Sequence, residues 1–176
     1  MLLPGFQIWK QTRARAEIEQ AALLAEARIR TAFLPSTPDS VTSVNQPTLS
    51  AVSFLTHEGS DSVASFDPVS GRTFWRTVTI LKLDSAKRQL VRLRWGKPPL
   101  PTTEPFAFTQ AELMAACSSG LVEERWASHL DAFEVTPARE ERQWNFVLTF
   151  TTDSPQGRIV ARREFLLTPR IQGENE

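Results

Sequence analysis

The sequence holds one cysteine, Cys117, two histidines, seven glycines and no charge imbalance, twenty basic residues matching twenty acidic ones. Each scarcity removes a class of function. A lone cysteine excludes an internal disulfide and a cysteine-rich zinc site. It fits a reducing compartment, and equally an exported domain that needs no covalent staples. The glycines form neither G-x-G-x-x-G nor G-K-[ST], and strands do not alternate with helices. A Rossmann or P-loop nucleotide site is therefore not expected. His57 and His129 have no partner at H-x-x-x-H or H-x-H spacing, so the sequence offers no metal or cofactor motif. A balanced charge gives no global field to draw in nucleic acid or anionic lipid. No run reaches the roughly 20 apolar residues that span a bilayer. Met1–Ile8 is too short for a signal-peptide core, and Trp9, Lys10 and Gln11 end it.

What is present suits one well-buried domain: 176 residues, 41% hydrophobic and 23% charged. Residues 6–33 contain no Pro or Gly and are rich in Ala, Glu, Arg, Gln and Leu, all good helix formers. Ala14, Ile18, Ala22, Ala25, Ile29 and Ala32 recur at helical spacing and make one apolar seam. Leu23, Leu24 and Phe33 should widen that seam, and Pro35 and Pro38 end the helix. The stripe is much poorer from Phe6 to Arg13, which predicts a front third that protrudes or frays.

After a Pro/Ser/Thr-rich connector (34–48) the period changes from helix to strand. AVSFLT (51–56) reads as a strand that turns through HEGSDS, with SVASF (62–66) as its returning partner. RTFWRTVTILKLD and RQLVRLRW flank Ser85-Ala86 as a hairpin. With Asp84 opposite Lys87, Ile80 pairs with Val91, Val78 with Leu93 and Arg76 with Trp95, giving an apolar face that also takes Phe74. Thr79, Thr77, Arg92 and Arg94 then form a wet face. A Pro-rich excursion (96–106) leads to a short helix at 109–117, opened by a Thr109-to-Glu112 capping box. HLDAFEVTP, RQWNFVLTF and RIVARREFLL follow as strands, the last two forming a hairpin. The expected fold is α+β: a helix over 1–35, packed on an antiparallel β-rich head over 36–176.

Few residues suggest chemistry. His57 with Glu58 and Asp61 forms at most a weak cation site in a turn, where such residues collect anyway. A Cys117–His129–Asp131 triad, the basis of a hydrolase reading, is not refuted by spacing, because triads assemble in space. Against it, Cys117 ends an apolar helical turn, the usual setting of a small buried hydrophobe. Glu123-Glu124 and Glu140-Glu141 are adjacent pairs whose side chains diverge, so they read as solvated faces. The basic, aromatic hairpin 72–95 is the best nucleic-acid candidate, with Arg88, Arg92 and Arg94 on one strip. Zero net charge weighs against that reading.

The order of elements resembles the type IV pilin superfamily, and within it the larger, J-class minor pseudopilins of type II secretion systems. Three stretches carry the likeness: QTRARAEIEQAALLAEARIRTAF; TVTILKLDSAKRQLVRLRW; and HLDAFEVTP with WNFVLTF and ARREFLLTPR. The resemblance covers most of the chain through weak motifs. One departure stands out. Gly5-Phe6 imitates the family's processing junction, but the fifth residue after Gly5 is Lys10 where the family has glutamate, and polar residues follow. The expectation is a soluble head whose membrane half ended just ahead of Leu2 or Leu3, with Met1 an added start.

The resemblance implies a non-enzymatic subunit, without cofactor or metal, at the bacterial inner membrane and in the periplasm. Its partners would be other minor and major pilin-type subunits, with exported cargo or an outer-membrane channel at the fibre tip. Ile18, Ala22, Ala25 and Ile29 would pack on the chain's own sheet, while Ile8 and Trp9 would meet neighbouring subunits. The alternative within the superfamily is a DNA-uptake subunit that uses Arg88, Arg92 and Arg94.

Overall fold

The computed structural model describes residues 3–57, 67, 69–97, 100–139, 142–154 and 156–170. Helix α1 (Leu3–Phe33) leads through a 3-10 turn (Pro38–Ser40) to strands β1 (Thr42–Gln46), β2 (Leu49–Thr56), β3 (Thr77–Asp84) and β4 (Gln89–Trp95). Helix α2 (Gln110–Cys117) follows, then β5 (Glu124–Ser128), β6 (Leu130–Pro137), β7 (Trp144–Ser154) and β8 (Gly157–Leu167). Strands β1 to β5 form one sheet in chain order and β6 to β8 a second, every pairing antiparallel. The arrangement is α+β, a long N-terminal helix packed on antiparallel sheets.

α1 starts at Leu3, so Pro4 and Gly5 lie in its first turn. A proline in the first turn of a helix gives up only an N–H that has no intrahelical acceptor anyway. The seam is buried as its spacing predicts: Ile18, Ala22, Ala25, Ile29 and Ala32 are all core residues. Three alanines on that face let the helix backbone approach the sheets closely. Phe33 closes the seam and joins both sheets, edge-on to Phe54 of β2 at 5.1 Å and to Phe146 of β7 at 5.0 Å. Leu23 and Leu24 do not widen it, being 53% and 48% exposed. They sit one position to either side of the line that faces the sheets. The helix ends where Ser36 donates its N–H and hydroxyl to the Phe33 carbonyl.

The larger sheet is a middle layer, which corrects the expected wet face. Val52, Phe54, Leu81 and Leu90 share a core with α1 and the second sheet. Ala51, Leu55, Val78, Ile80 and Leu93, on the opposite face, share another with Leu113 and Ala116 of α2. Thr79 and Arg92, read as solvated, are therefore buried, and only Arg94 of that group is fully exposed.

The β3–β4 register is also displaced from expectation. Asp84 pairs with Gln89, Lys82 with Val91, Ile80 with Leu93 and Val78 with Trp95. The cause is the turn, which takes four residues, Ser85 to Arg88. Asp84 Oδ1 accepts the Lys87 N–H at 3.0 Å, and Arg88 adopts a left-handed φ of 52°. A shift of two residues keeps every side chain on its face, so the apolar alternation was correctly read with the wrong partners.

β2 pairs with β1 and β3; the expected partner segment 62–66 lies outside the described residues. β1 and β5 were not anticipated. β1 forms inside the Pro/Ser/Thr connector, folding back on β2 across Pro47-Thr48 and burying Val44. β5 places Trp126 and Ala127 in the core beside α1. The capping box of α2 forms as expected, with Glu112 N–H donating to Thr109 Oγ1 at 3.2 Å and Thr109 N–H to Glu112 Oε2 at 2.7 Å.

Candidate functional site

The front of α1 is the most unusual surface of the molecule. Phe6, Ile8 and Trp9 are 54%, 59% and 54% exposed, although each is a large apolar side chain on an ordered helix. Every hydrogen bond and ion pair of residues 6–17 among the described residues stays within the helix. Thr12 donates to the Ile8 carbonyl, Arg13 pairs with Glu17 at 2.9 Å and Arg15 with Glu19 at 3.0 Å. The rings use the same local spacing. Phe6 stacks on Trp9 at 6.1 Å, Lys10 lies over Phe6 at 4.5 Å and Arg13 over Trp9 at 5.6 Å. Such i,i+3 and i,i+4 contacts support a solvated helix by a few tenths of a kcal/mol each, and cover little apolar area. The segment extends about 18 Å at the usual rise per residue. Single exposed apolar residues are ordinary on protein surfaces; here Phe6 and Trp9 share one face of the helix at i,i+3 spacing, and Ile8 is exposed on another side.

The three arginines of the β3–β4 hairpin do not form one strip. Arg88, in the turn, donates Nε to Asp131 Oδ1 at 2.6 Å and Nη2 to the Thr151 carbonyl at 2.7 Å. Arg92 lies in the layer beneath α1, over the Trp126 ring at 4.9 Å, with Nε donating to Glu124 Oε2 at 3.0 Å. Arg94 is exposed at the far end of β4. Alternation along the strand was legible in sequence, but the second buried face of the sheet was not.

Asp131 proves to be a hub that sequence reading missed. Its carboxylate accepts from Arg88, from the Thr151 hydroxyl at 2.7 Å and from Arg158. Burial opposes ionisation of Asp131, but the Thr151 and Arg88 hydrogen bonds and the charges of Arg88 and Arg158 outweigh it. Its carboxyl is held below the usual carboxylate range. The cluster links the β3–β4 turn to β6, β7 and β8, and so fixes one sheet against the other. A second link is Asn45 of β1, whose amide donates to the Val135 carbonyl at 2.8 Å and accepts the Val135 N–H at 3.2 Å. An asparagine amide here stands in for the edge of a neighbouring strand.

The hydrolase constellation does not come together. Cys117 is half-buried at the end of α2, and burial pushes its thiol pKa up despite the nearby Lys82 charge, the reverse of an activated nucleophile. No hydrogen bond joins it to His57 or His129 among the described residues. His57 Nδ1 is buried without a hydrogen-bond partner among the described residues, and His129 occupies the β5–β6 corner at a φ of 64°. Asp131 serves the arginine cluster instead. Glu58 and Asp61 of the weak cation site, and Glu140-Glu141, lie outside the described residues. Glu123 and Glu124 are not merely solvated: they pair with Lys82 at 2.7 Å and with Arg92. No group of three or more metal-ligating side chains occurs among the described residues, and no described helix is long and apolar enough to cross a membrane. In comparisons with protein-family models, curated proteins and solved structures, nothing matches the chain.

Proposed function

We propose that this chain is the head of a non-enzymatic pilin-type subunit, of the minor pseudopilin kind, that joins a fibre through α1. The observation that carries the reading is the division of that helix. Its rear half is sealed into the head through Ile18, Ala22, Ala25, Ile29 and Phe33, while its front presents Phe6, Ile8 and Trp9 to solvent. A rod anchored at one end and apolar at the other suits packing among parallel rods of sibling subunits. The inner membrane and periplasm are the localisation this reading implies, with minor and major pilin-type subunits as partners and cargo or an outer-membrane channel at the tip.

Site-specific photocrosslinking tests it. A photoreactive residue at position 9, in the full-length gene product expressed in its own host, should crosslink to proteins that carry a pilin-type N-terminal helix. The same residue at position 166, exposed on the face of β8 opposite the one that packs on α1, should not. Trp9→Asp should abolish incorporation into the fibre with the head still folded. Wild-type assembly by Trp9→Asp, or crosslinks confined to unrelated proteins, would overturn the proposal.

A further inference from the structure

On the face of the middle sheet opposite α1, the segment before α2 lies alongside the end of β4 and leaves a groove of about 490 Å³. Trp95, Phe106 and Phe108 form one wall and Ala115 of α2 the other, with Glu112 at the rim. The rings are set against each other, Trp95 perpendicular to Phe108 at 5.9 Å and Phe106 tilted on Phe108 at 6.1 Å. All three are only half-buried, so ring surface faces the opening.

Three observations specify an occupant. First, aromatic faces attract cations through their quadrupoles, and Trp95 already holds one: the Lys97 ammonium, outside the groove lining, lies 5.3 Å from its ring centre. Second, the rim carries a fixed negative charge. Glu112 takes the Thr109 N–H and hydroxyl on Oε2, which keeps its carboxyl below the ordinary range and leaves Oε1 without a hydrogen bond. Third, the backbone beside the groove has no strand partner among the described residues. Among the described residues no hydrogen bond engages the main chain of Phe106 or Ala107. Open main-chain N–H and C=O groups are what an incoming extended peptide pairs with, and alternate side-chain pockets then read its sequence.

We infer that this groove binds an extended segment of a partner protein, paired along Phe106–Ala107, with one lysine or arginine side chain inserted among Trp95, Phe106 and Phe108 toward Glu112. Its apolar stem lies on the rings and its charge meets the free carboxylate oxygen. The site lies across the sheet from α1, so it stands independently of the fibre reading.

The test is a titration of the ¹⁵N-labelled full chain, followed by NMR, with the capped hexapeptide Thr-Val-Lys-Val-Thr-Val. Controls carry norleucine or glutamate in place of lysine, and tetramethylammonium serves as a cation without a main chain. The lysine peptide should shift the Trp95 indole and the Phe106 and Ala107 amides, and bind at least about tenfold tighter than the norleucine peptide. Glu112→Gln, which retains the helix cap, should weaken binding severalfold. Absence of shifts at these residues at millimolar peptide overturns the site. Equal binding of the norleucine peptide overturns the cationic occupant, and tetramethylammonium binding as tightly as the peptide overturns the main-chain pairing.

Discussion

Residues 18–33 and residues 6–17 belong to one unbroken helix, drawn from the same alanine, glutamate, arginine and glutamine. The first stretch is held by tertiary contacts. Ile18, Ala22, Ala25 and Ile29 are at most 1% exposed. Arg28 reaches across to donate to the Trp126 carbonyl at 2.6 Å, and Arg30 lies over Phe165 at 4.9 Å. The second stretch is held only by itself, through Arg13–Glu17, Phe6–Trp9 and Thr12 to Ile8. Good helix formers make up most of both stretches, and what separates them most is burial. The rear half makes the head stable, and the front is free to be judged by what it binds.

Substitutions can break this contrast, and the largest effect belongs to the seam. Ile29→Ala should lower unfolding free energy by about 2–5 kcal/mol in urea titrations, since its methyl groups leave a void between helix and sheets. A cost below about 1 kcal/mol would mean the rear half is not seated as described.

Next comes the clasp that fixes one sheet against the other beneath the helix. Asp131→Asn should cost about 1–3 kcal/mol near neutral pH, because Arg88 and Arg158 lose their shared negative charge and one of its two acceptor oxygens. The sign follows from a native pKa lowered below the unfolded value of about 3.9. The contribution is complete above that value and is lost as pH falls through the native pKa. Stability curves of wild type and Asp131→Asn should therefore converge in acid, and a gap that stays constant would assign the loss to packing.

Arg28→Ala should cost about 1 kcal/mol by the same urea titration, one side-chain-to-carbonyl bond across the helix–sheet boundary. Smallest of all, Trp9→Ala and Glu17→Ala should change stability by less than about 0.5 kcal/mol. A large loss at Trp9 would place the front of the helix against the head and remove the contrast altogether.

Much of the seat of α1 was legible before any coordinates. The spacing of Ile18, Ala22, Ala25 and Ile29 named the buried face, and the weak stripe from Phe6 to Arg13 named the projecting end. Leu23 and Leu24 were misjudged because a seam is only as wide as the surface that receives it, and here the sheets leave both exposed. Strand β1 was hidden by composition: the connector's prolines flank a stretch, Thr42–Gln46, that needs only Val44 inward to become an edge strand. Arg92 was misplaced because arginine on an alternating strand reads as solvent-facing. Its planar guanidinium instead lies on Trp126 and pairs with Glu124, partners that chain distance conceals. None of the aromatic groove was legible: 96–106 reads as a Pro-rich excursion, and the meeting of Phe106 and Phe108 with Trp95 is a contact between distant segments.

Sequence alone determined the local quantities: where α1 carries its apolar line, that Thr109 and Glu112 cap α2, and which face of β3 and β4 holds Val78, Ile80 and Leu93. These depend on periodicity and on bonds between near neighbours, which the order of residues encodes directly. Tertiary structure decided that the larger sheet has two buried faces, that Asp131 gathers two arginines, and how far α1 reaches beyond its support. Those outcomes depend on which distant surfaces remove one another from water, and no local pattern of residues carries that information.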